Sequence, residues 1–293
     1  MSPPHARRAV ALESTLLAHG VPHHESLPLA RRLESIAREE GAHPATVAVL
    51  DGRPVAGLSE PELERLLAQA ASPAGLPKLN TSNLGLAIHR RLSGATTVST
   101  TMEIAAAAGI RLFATGGLGG VHRGYGTRLD VSSDLLALAR FPVAVVCSGV
   151  KSILDVVSTR EALETLGVPV VGFRCDRFPA FYLRASDAAV DARFDDESEL
   201  AEFLSAELAR TSRGIVVANP VPEPDAIDPA ELAAWLDQAA TAAAGRDATP
   251  AALAALHAVS GGRTLRSNLA LAEANTRLAA RLAARLDGGT GER

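Results

Sequence analysis

Short runs of apolar and β-branched residues alternate along the chain with amphipathic or alanine-rich stretches. The apolar runs predict strands at Ala9–Leu12, Thr46–Leu50, Thr96–Ser99, Arg111–Ala114, Val143–Cys147, Val168–Phe173 and Ile215–Ala218. The stretches between them predict helices at Leu27–Glu39, Pro61–Gln69, Met102–Ala108, Arg160–Leu166, Glu197–Ala209 and Pro229–Ala243. This alternation predicts an α/β fold in which helices cover a largely parallel or mixed sheet. The region Pro250–Leu286 predicts two further helices around Ser260-Gly261-Gly262, and we expect one domain over residues 1–293.

Reactive side chains follow several of the predicted strands directly. Glu13, Ser14 and Thr15 follow the first strand, and a glycine-rich loop begins at Thr115. Ser148 and Lys151 follow the strand that ends at Cys147, and Asn219 follows Ala218. Ligands of open α/β sheets bind beyond the carboxyl ends of the strands. We therefore expect a carboxylate, a hydroxyl, an amine and an amide to meet at one edge of the sheet.

The scarcity of lysine singles out two candidate reactive residues. The chain has 29 Lys and Arg residues, yet Lys78 and Lys151 are its only lysines. Either the two are accidental surface residues, or they perform chemistry that a permanently charged guanidinium cannot, such as attack on carbon by a neutral amine. Lys151 is predicted to leave a buried strand through a small turn into a helix, where burial would lower its pKa. Glu13 is predicted to be either a proton donor or acceptor with a raised pKa, or a capping group.

The remaining composition excludes several classes of protein. A net charge of −4 and an aromatic content of 3% argue against a nucleic-acid polymer as partner. No stretch predicts a signal peptide or a membrane span, so we expect a soluble, cytoplasmic protein. Cys147 and Cys175 are expected to be reduced core thiols. The histidines, His19 among them, form no metal-binding pattern and are predicted to be surface or core residues, apart from His122 in the glycine loop.

Two loops offer alternatives that the sequence leaves open. The segment ATGGLGGVHRG, from Ala114 to Gly124, holds five glycines and predicts either a phosphate-binding loop or a plain turn. The segment LDVSSDL places Asp130 before Ser132, Ser133 and Asp134. It predicts either a helix cap or a site where Asp130, with water molecules, holds Mg²⁺ or Mn²⁺ and the serines contact a ligand.

Together with VALESTLLAHG, GATTVSTTM, VVCSGVKSILD, VVANPVPE and SGGRTLRSNL, these segments resemble the pseudouridine-5′-phosphate glycosidase family, also described as indigoidine synthase A-like. The resemblance extends through the whole chain. It implies a three-layer α/β/α fold, commonly a homotrimer, and a reversible, Mn²⁺-dependent lyase with one ion per subunit. Its small-molecule substrates are pseudouridine 5′-phosphate, uracil and ribose 5-phosphate.

The resemblance also implies roles for individual residues. Glu13 becomes the proton donor, Lys151 the nucleophile that forms a Schiff base with ribose C1′, and Asp130 the Mn²⁺ ligand. The residues implied to contact the phosphate are Lys78, Thr115 and His122, and those implied to contact the substrate elsewhere are Val98 and Ser132, Ser133 and Asp134. Asn275 and Asn268 are implied to lie near the uracil.

One segment departs from the family pattern. After Lys78 the pattern has a serine and an Arg-Arg-Asp run, whereas this chain has Leu79 followed by Asn80-Thr81-Ser82-Asn83. The missing cations leave open an enzyme for a related phosphorylated C-nucleoside. A Schiff-base sugar-phosphate aldolase, an N-ribohydrolase and a non-catalytic nucleotide-binding protein are the further alternatives.

Overall fold

The computed structural model describes residues 8–127, 129–242 and 255–286. Its strands are β1 (Ala9–Glu13), β2 (His43–Leu50), β3 (Arg53–Ala56), β4 (Lys78–Leu79), β5 (Gly94–Thr96), β6 (Leu112–Ala114), β7 (Val121–His122), β8 (Ala144–Cys147), β9 (Leu154–Asp155), β10 (Val170–Phe173), β11 (Ala192–Phe194) and β12 (Ile215–Ala218). Its helices are α1 (Ser14–His19), α2 (His23–Glu39), α3 (Glu60–Ala71), α4 (Leu84–His89), α5 (Val98–Ala107), α6 (Ser133–Arg140), α7 (Val156–Thr165), α8 (Glu197–Arg210), α9 (Pro229–Ala242) and α10 (Arg263–Leu286). In this part of the chain no helix has the length and apolar character needed to cross a membrane.

The central sheet is mixed, as predicted. Its strand order is β11-β10-β12-β8-β6-β1-β2-β5-β4, with β3 paired to β2. The strands from β11 to β2 are parallel, whereas β3 and β5 are antiparallel to β2 and β4 is parallel to β5. Strands β7 and β9 form a separate antiparallel pair.

Helices cover both faces of this sheet. In β1, Val10 and Leu12 belong to one hydrophobic core, together with side chains of α2, α3, α8 and α10. Ala9 and Ala11 point to the opposite core, which α4, α5, α6 and α7 cover. Because successive strand side chains alternate between faces, an all-apolar strand requires such cover on both sides. The predicted three-layer α/β/α architecture is confirmed.

The predicted strand at Thr96–Ser99 is wrong at its second half. Strand β5 ends at Thr96, and α5 begins at Val98 after Thr97 in an extended conformation. Hydroxyl residues are favoured where helices begin, and here the Ser99 amide donates to Asp134 Oδ1 at 3.0 Å rather than to a strand. The β-branched residues therefore led to the prediction of a strand where a helix begins.

The region around Lys151 also differs from its prediction. Lys151 does not begin a helix: it lies in a turn before β9, and α7 begins only at Val156, where the Asp155 side chain accepts a hydrogen bond from the Ser158 amide at 2.9 Å. At the C-terminus, residues 255–259 are helical and a turn at residues 260–262 leads into α10, as predicted. Residues 250–254 and 287–293 lie outside the described residues.

Candidate active site

The carboxyl ends of β1, β6, β8 and β12 meet at one edge of the sheet, as predicted. Strand β6 pairs with both β1 and β8, and β8 pairs with β12. The segments after these strands are tied to one another, since Ser148 N donates to Gly116 O at 2.9 Å and Asn219 N donates to Cys147 O at 2.9 Å. Because these strands are parallel neighbours, the predicted reactive side chains at their carboxyl ends lie close together.

Glu13 is the buried carboxyl group of this edge. It ends β1, is only 6% exposed, and accepts a hydrogen bond from Thr115 Oγ1. Burial raises the pKa of Glu13 above its usual value, with a smaller contribution in the same direction from Asp134, whereas Lys151, the Thr115 hydrogen bond and Lys78 lower it. A carboxyl group whose neutral form is favoured at an accessible cavity is suited to donate a proton.

Both lysines of the chain line the cavity that contains Glu13. Lys78 begins β4 and Lys151 follows β8, and with Glu13 and Thr15 they border both an inner, mainly apolar pocket and an outer polar one. Burial lowers the pKa of Lys78, the positive charge of Lys151 lowers it further, and Glu13 opposes this shift. The lysine scarcity therefore pointed to a single site.

Backbone contacts fix the turn that carries Lys151. The Lys151 amide donates to Leu118 O at 3.1 Å, and the Leu154 amide donates to Lys151 O at 2.9 Å. Gly149 has φ +76°, and a Cβ atom there would lie 1.8 Å from Pro179 O. Only glycine fits this position, so the turn holds the half-buried Lys151 at the edge of the cavity without a helix.

The glycine-rich loop is better explained as a close-packed turn than as a phosphate cradle. Its Leu118 amide donates to Gly149 O, and its Gly119 amide donates to Asp134 Oδ2, both at 2.9 Å. A Cβ atom at Gly117 would lie 2.5 Å from Phe181, and one at Gly119 would lie 2.4 Å from Ser132 Oγ. The glycines allow neighbouring segments to approach, and these two amides already have protein partners.

The beginnings of α5 and α6 form the outer pocket together with Lys78. Val98, Ser132, Ser133 and Asp134 all line it. Ser132 Oγ accepts from the Asp134 amide at 3.2 Å, so the predicted helix cap is confirmed. The Asp134 carboxylate accepts from two backbone amides and is 5% exposed, whereas the serine hydroxyls reach the pocket. Helix N-termini and hydroxyl groups favour an anion such as a phosphate.

Asp130 lines neither pocket, but it lies beside His122, which borders the outer one. His122 Nδ1 is 3.9 Å from Asp130 Oδ2. The Asp130 side chain is 49% exposed. Among the described residues, no three histidine, cysteine, aspartate or glutamate side chains form a cluster that could hold a metal ion by themselves. A single open carboxylate fits a largely hydrated hard cation and does not fit a closed zinc site.

The segment after Lys78, which departs from the family pattern, forms a self-contained turn. The Asn80 amide donates to Asn83 Oδ1 at 2.9 Å, and Ser82 Oγ donates to Asn80 Oδ1 at 2.6 Å. Asn83 Nδ2 donates to Lys78 O at 3.2 Å. Asn80 and Ser82 line the outer pocket, so neutral amide and hydroxyl groups stand there.

The structure separates the two asparagines of α10. Asn275 is fully buried behind the cavity, where its Nδ2 donates to Thr115 O at 2.8 Å and its Oδ1 accepts from Asn219 Nδ2 at 2.9 Å. Asn275 therefore positions the loop of Thr115. Asn268 lines the inner pocket directly.

His19 and Phe181 of the inner pocket were not predicted to be site residues, whereas Thr15 was expected at this edge of the sheet. His19 ends α1, which begins immediately after Glu13 and also carries Thr15, and Phe181 comes from the loop after β10. His19 was predicted to be a surface or core residue. Its position could have identified it, because a helix that begins at the carboxyl end of a central strand carries its first turns beside the site.

Comparison with known proteins relates the whole chain to one family. The model of the family described as indigoidine synthase A like protein matches residues 4–285. Proteins named pseudouridine-5′-phosphate glycosidase are similar to it: that of Symbiobacterium thermophilum is 46% identical, with 97% of this chain and 94% of the relative covered. That of Solibacter usitatus is 47% identical, with 96% and 94% covered.

Two solved structures share the fold. A crystal structure of an indigoidine synthase A-like protein from Thermotoga maritima superposes with a TM-score of 0.86 at 38% identity, covering 95% of this chain and 92% of that one. The prealnumycin C-glycosynthase AlnA, in complex with ribulose 5-phosphate, superposes with a TM-score of 0.88 at 36% identity, covering 98% and 95%.

Proposed function

The chain belongs to the indigoidine synthase A-like family, and on that basis we propose that it reversibly cleaves the C-glycosidic bond of pseudouridine 5′-phosphate to give uracil and ribose 5-phosphate. One observation carries the proposal: the chain's only two lysines and a buried, hydrogen-bonded glutamate line the same cavity. Relatives at 46–47% identity carry the name of this activity. AlnA, a C-glycosynthase, was solved with a sugar phosphate.

The substrate fits the two parts of the cavity. The outer pocket offers Lys78, His122 and the serine hydroxyls of α6 to the phosphate and ribose. The inner pocket, with Phe181 and Leu16, offers apolar surface to the uracil ring. Glu13 and Lys151 border both pockets, where the C1′ atom and its bond to the base would lie. Binding of the remote phosphate would hold C1′ against the amine.

The chemistry follows from these positions. A C-nucleoside has no heteroatom at the cleaved bond, so the usual protonation of a leaving oxygen is not available. In our proposal Glu13 protonates the ribose ring oxygen while Lys151 Nζ attacks C1′, which opens the ring, and the Glu13 carboxylate then takes up the proton that the attacking nitrogen loses. The nitrogen lone pair forms the C1′=N imine as the C1′–C5 bond breaks, and C5 of uracil takes the proton back from Glu13. Water hydrolyses the imine, which releases ribose 5-phosphate and restores the lysine.

The proposal includes one Mn²⁺ ion per subunit, held by Asp130 and water molecules. The open carboxylate beside His122 fits a hydrated divalent cation. When bound there, the ion would supply positive charge on the phosphate side of the cavity. A homotrimeric assembly and a cytoplasmic location also remain parts of this proposal, and they rest on the family resemblance and the composition.

A direct experiment tests nucleophile and substrate together. We expect the protein to release uracil from pseudouridine 5′-phosphate and not from uridine 5′-phosphate. Borohydride reduction in the presence of ribose 5-phosphate should leave a covalent adduct, and mass spectrometry of peptides should place it on Lys151. An adduct on Lys78 would show that Lys78, and not Lys151, is the nucleophile. The absence of both adduct and uracil would contradict the proposed function.

A related phosphorylated C-glycoside is the second candidate substrate. Asn80 and Ser82 line the pocket where the family pattern has cations, and AlnA, at 36% identity, has a different named activity. Competition between pseudouridine 5′-phosphate and other C-linked ribose phosphates would separate the two substrates. A sugar-phosphate aldolase would form the same adduct without releasing uracil.

A further inference from the structure

Three buried polar atoms without hydrogen-bond partners lie around the inner pocket. They are Thr15 Oγ1, His19 Nε2 and Asn268 Oδ1. All three residues line this pocket with Glu13 and Lys151. Buried polar atoms in native proteins are almost always bonded, so a group of unbonded ones at one pocket indicates the place of a polar ligand.

Their neighbours determine which of these atoms accept hydrogen bonds. Asn268 Nδ2 donates to Gly20 O at 3.1 Å, which leaves Asn268 Oδ1 as an acceptor. His19 Nε2 is buried without a partner. Burial, and then the charge of Lys78, lower the pKa of His19 against a smaller opposing effect of the Leu76 backbone, and the lowered pKa favours the neutral ring. A neutral imidazole that donates through Nδ1 presents Nε2 as an acceptor.

The same pocket also presents an aromatic side chain beside these acceptors. A Cβ atom at Gly116 would lie 3.3 Å from the Phe181 ring and 3.5 Å from Asn268 Oδ1, so the aromatic side chain and the amide oxygen are close neighbours. Phe181 has φ +61°, an uncommon backbone conformation, and its amide donates to Ser148 O at 2.8 Å. The surrounding structure thus fixes Phe181 beside the acceptors.

We propose that His19 Nε2 and Asn268 Oδ1 each accept a hydrogen bond from one of the two ring N–H groups of a pyrimidine joined to its sugar through carbon. A uracil ring attached through C5 keeps both N–H groups, whereas a ring attached through N1 keeps only one. Thr15 Oγ1 can donate to the carbonyl group between them. His19 is then a specificity residue that selects C-linked over N-linked substrates. This inference rests on the proposed function.

N-methylated substrates provide the test. The wild-type protein should cleave 1-methyl- and 3-methylpseudouridine 5′-phosphate with kcat/KM reduced roughly tenfold or more, since each methyl group removes one donor. The His19→Ala variant should lose about the same factor on the parent substrate. It should also lose most of the wild-type penalty for one methylated analogue and keep the penalty for the other. In the synthetic direction its KM for uracil should rise while its KM for ribose 5-phosphate stays unchanged.

Matched variants separate recognition from folding. His257 is also half-buried, but it bonds Thr264 and lines neither pocket, so His257→Ala should keep both methyl penalties. His19→Gln retains an acceptor and should keep them in large part. His19→Leu removes the acceptor with less change in volume, and it replaces the alanine variant if that variant is unfolded at the assay temperature. Equal cleavage of parent and methylated substrates by the wild type would overturn the inference, and so would a folded His19→Ala or His19→Leu variant that keeps both penalties. A wild type that releases no uracil at all would instead overturn the proposed function, and this inference with it.

Discussion

The hydrogen bond from Thr115 to Glu13 sets the acidity of the proposed proton donor, and Thr115→Val removes it with little change in shape. Thr115 is 2% exposed, and its backbone amide and carbonyl keep their bonds to Val146 and Asn275. In the wild-type protein this bond stabilises the ionised carboxylate and lowers the pKa of Glu13, so removing the bond raises that pKa. A hydrogen bond to a charged group contributes about 1.5–3 kcal/mol, so its loss should weaken the acid roughly tenfold to a hundredfold.

The assay is the pH dependence of kcat/KM for uracil release. If protonated Glu13 is the donor, activity falls where Glu13 ionises, so the alkaline limb of the Thr115→Val profile should move to higher pH. Thr115→Ser should restore the wild-type limb. Thr276→Val is the matched control, because Thr276 is equally buried and bonds Ala272 O at 2.8 Å on α10. An alkaline limb that stays in place in Thr115→Val, or moves to lower pH, would refute the assignment of Glu13 as the acid.

Three further substitutions test the site. Lys151→Arg keeps the charge and removes the nucleophile, so turnover should fall at least roughly a thousandfold with an unchanged melting temperature; substantial activity or a borohydride adduct in this variant would exclude the covalent role. Glu13→Gln should be inactive. Because the pKa of Glu13 is raised above 4.5 in the folded protein, ionisation of the unfolded chain above pH 4.5 lowers the stability of the wild type, and the variant should gain stability relative to it. Urea unfolding across pH measures this difference in unfolding free energy, and a difference that stays constant would contradict the raised pKa. Lys78→Ala should raise KM roughly tenfold or more and weaken competitive inhibition by inorganic phosphate, with Arg65→Ala on the surface as control; an unchanged KM would remove Lys78 from the site.

Much of the fold was predictable because its signals are local. The strands of a doubly covered sheet bury both faces, so β1, β8 and β12 stand out as uniformly apolar runs. The shortest elements were missed, among them β4 with two residues and α1 with six, because they contain too few positions to show a period. The strand prediction for Thr96–Ser99 failed beyond Thr96 because the hydroxyl residues that follow lie where helix α5 begins.

For the site, the residue types at the strand ends can be read directly from the sequence: Glu13 at the end of β1 and Lys151 after β8, with lysine scarcity marking both amines. Which of these groups share a cavity depends on how the chain folds. Lys78 reaches Glu13 through β4 and β5, and Asn268 reaches His19 from a helix more than two hundred residues away in the chain, with its Nδ2 bound to Gly20 O. Strand pairing and helix packing set these distances, and because they join segments that are far apart in the chain, no local pattern of residues records them.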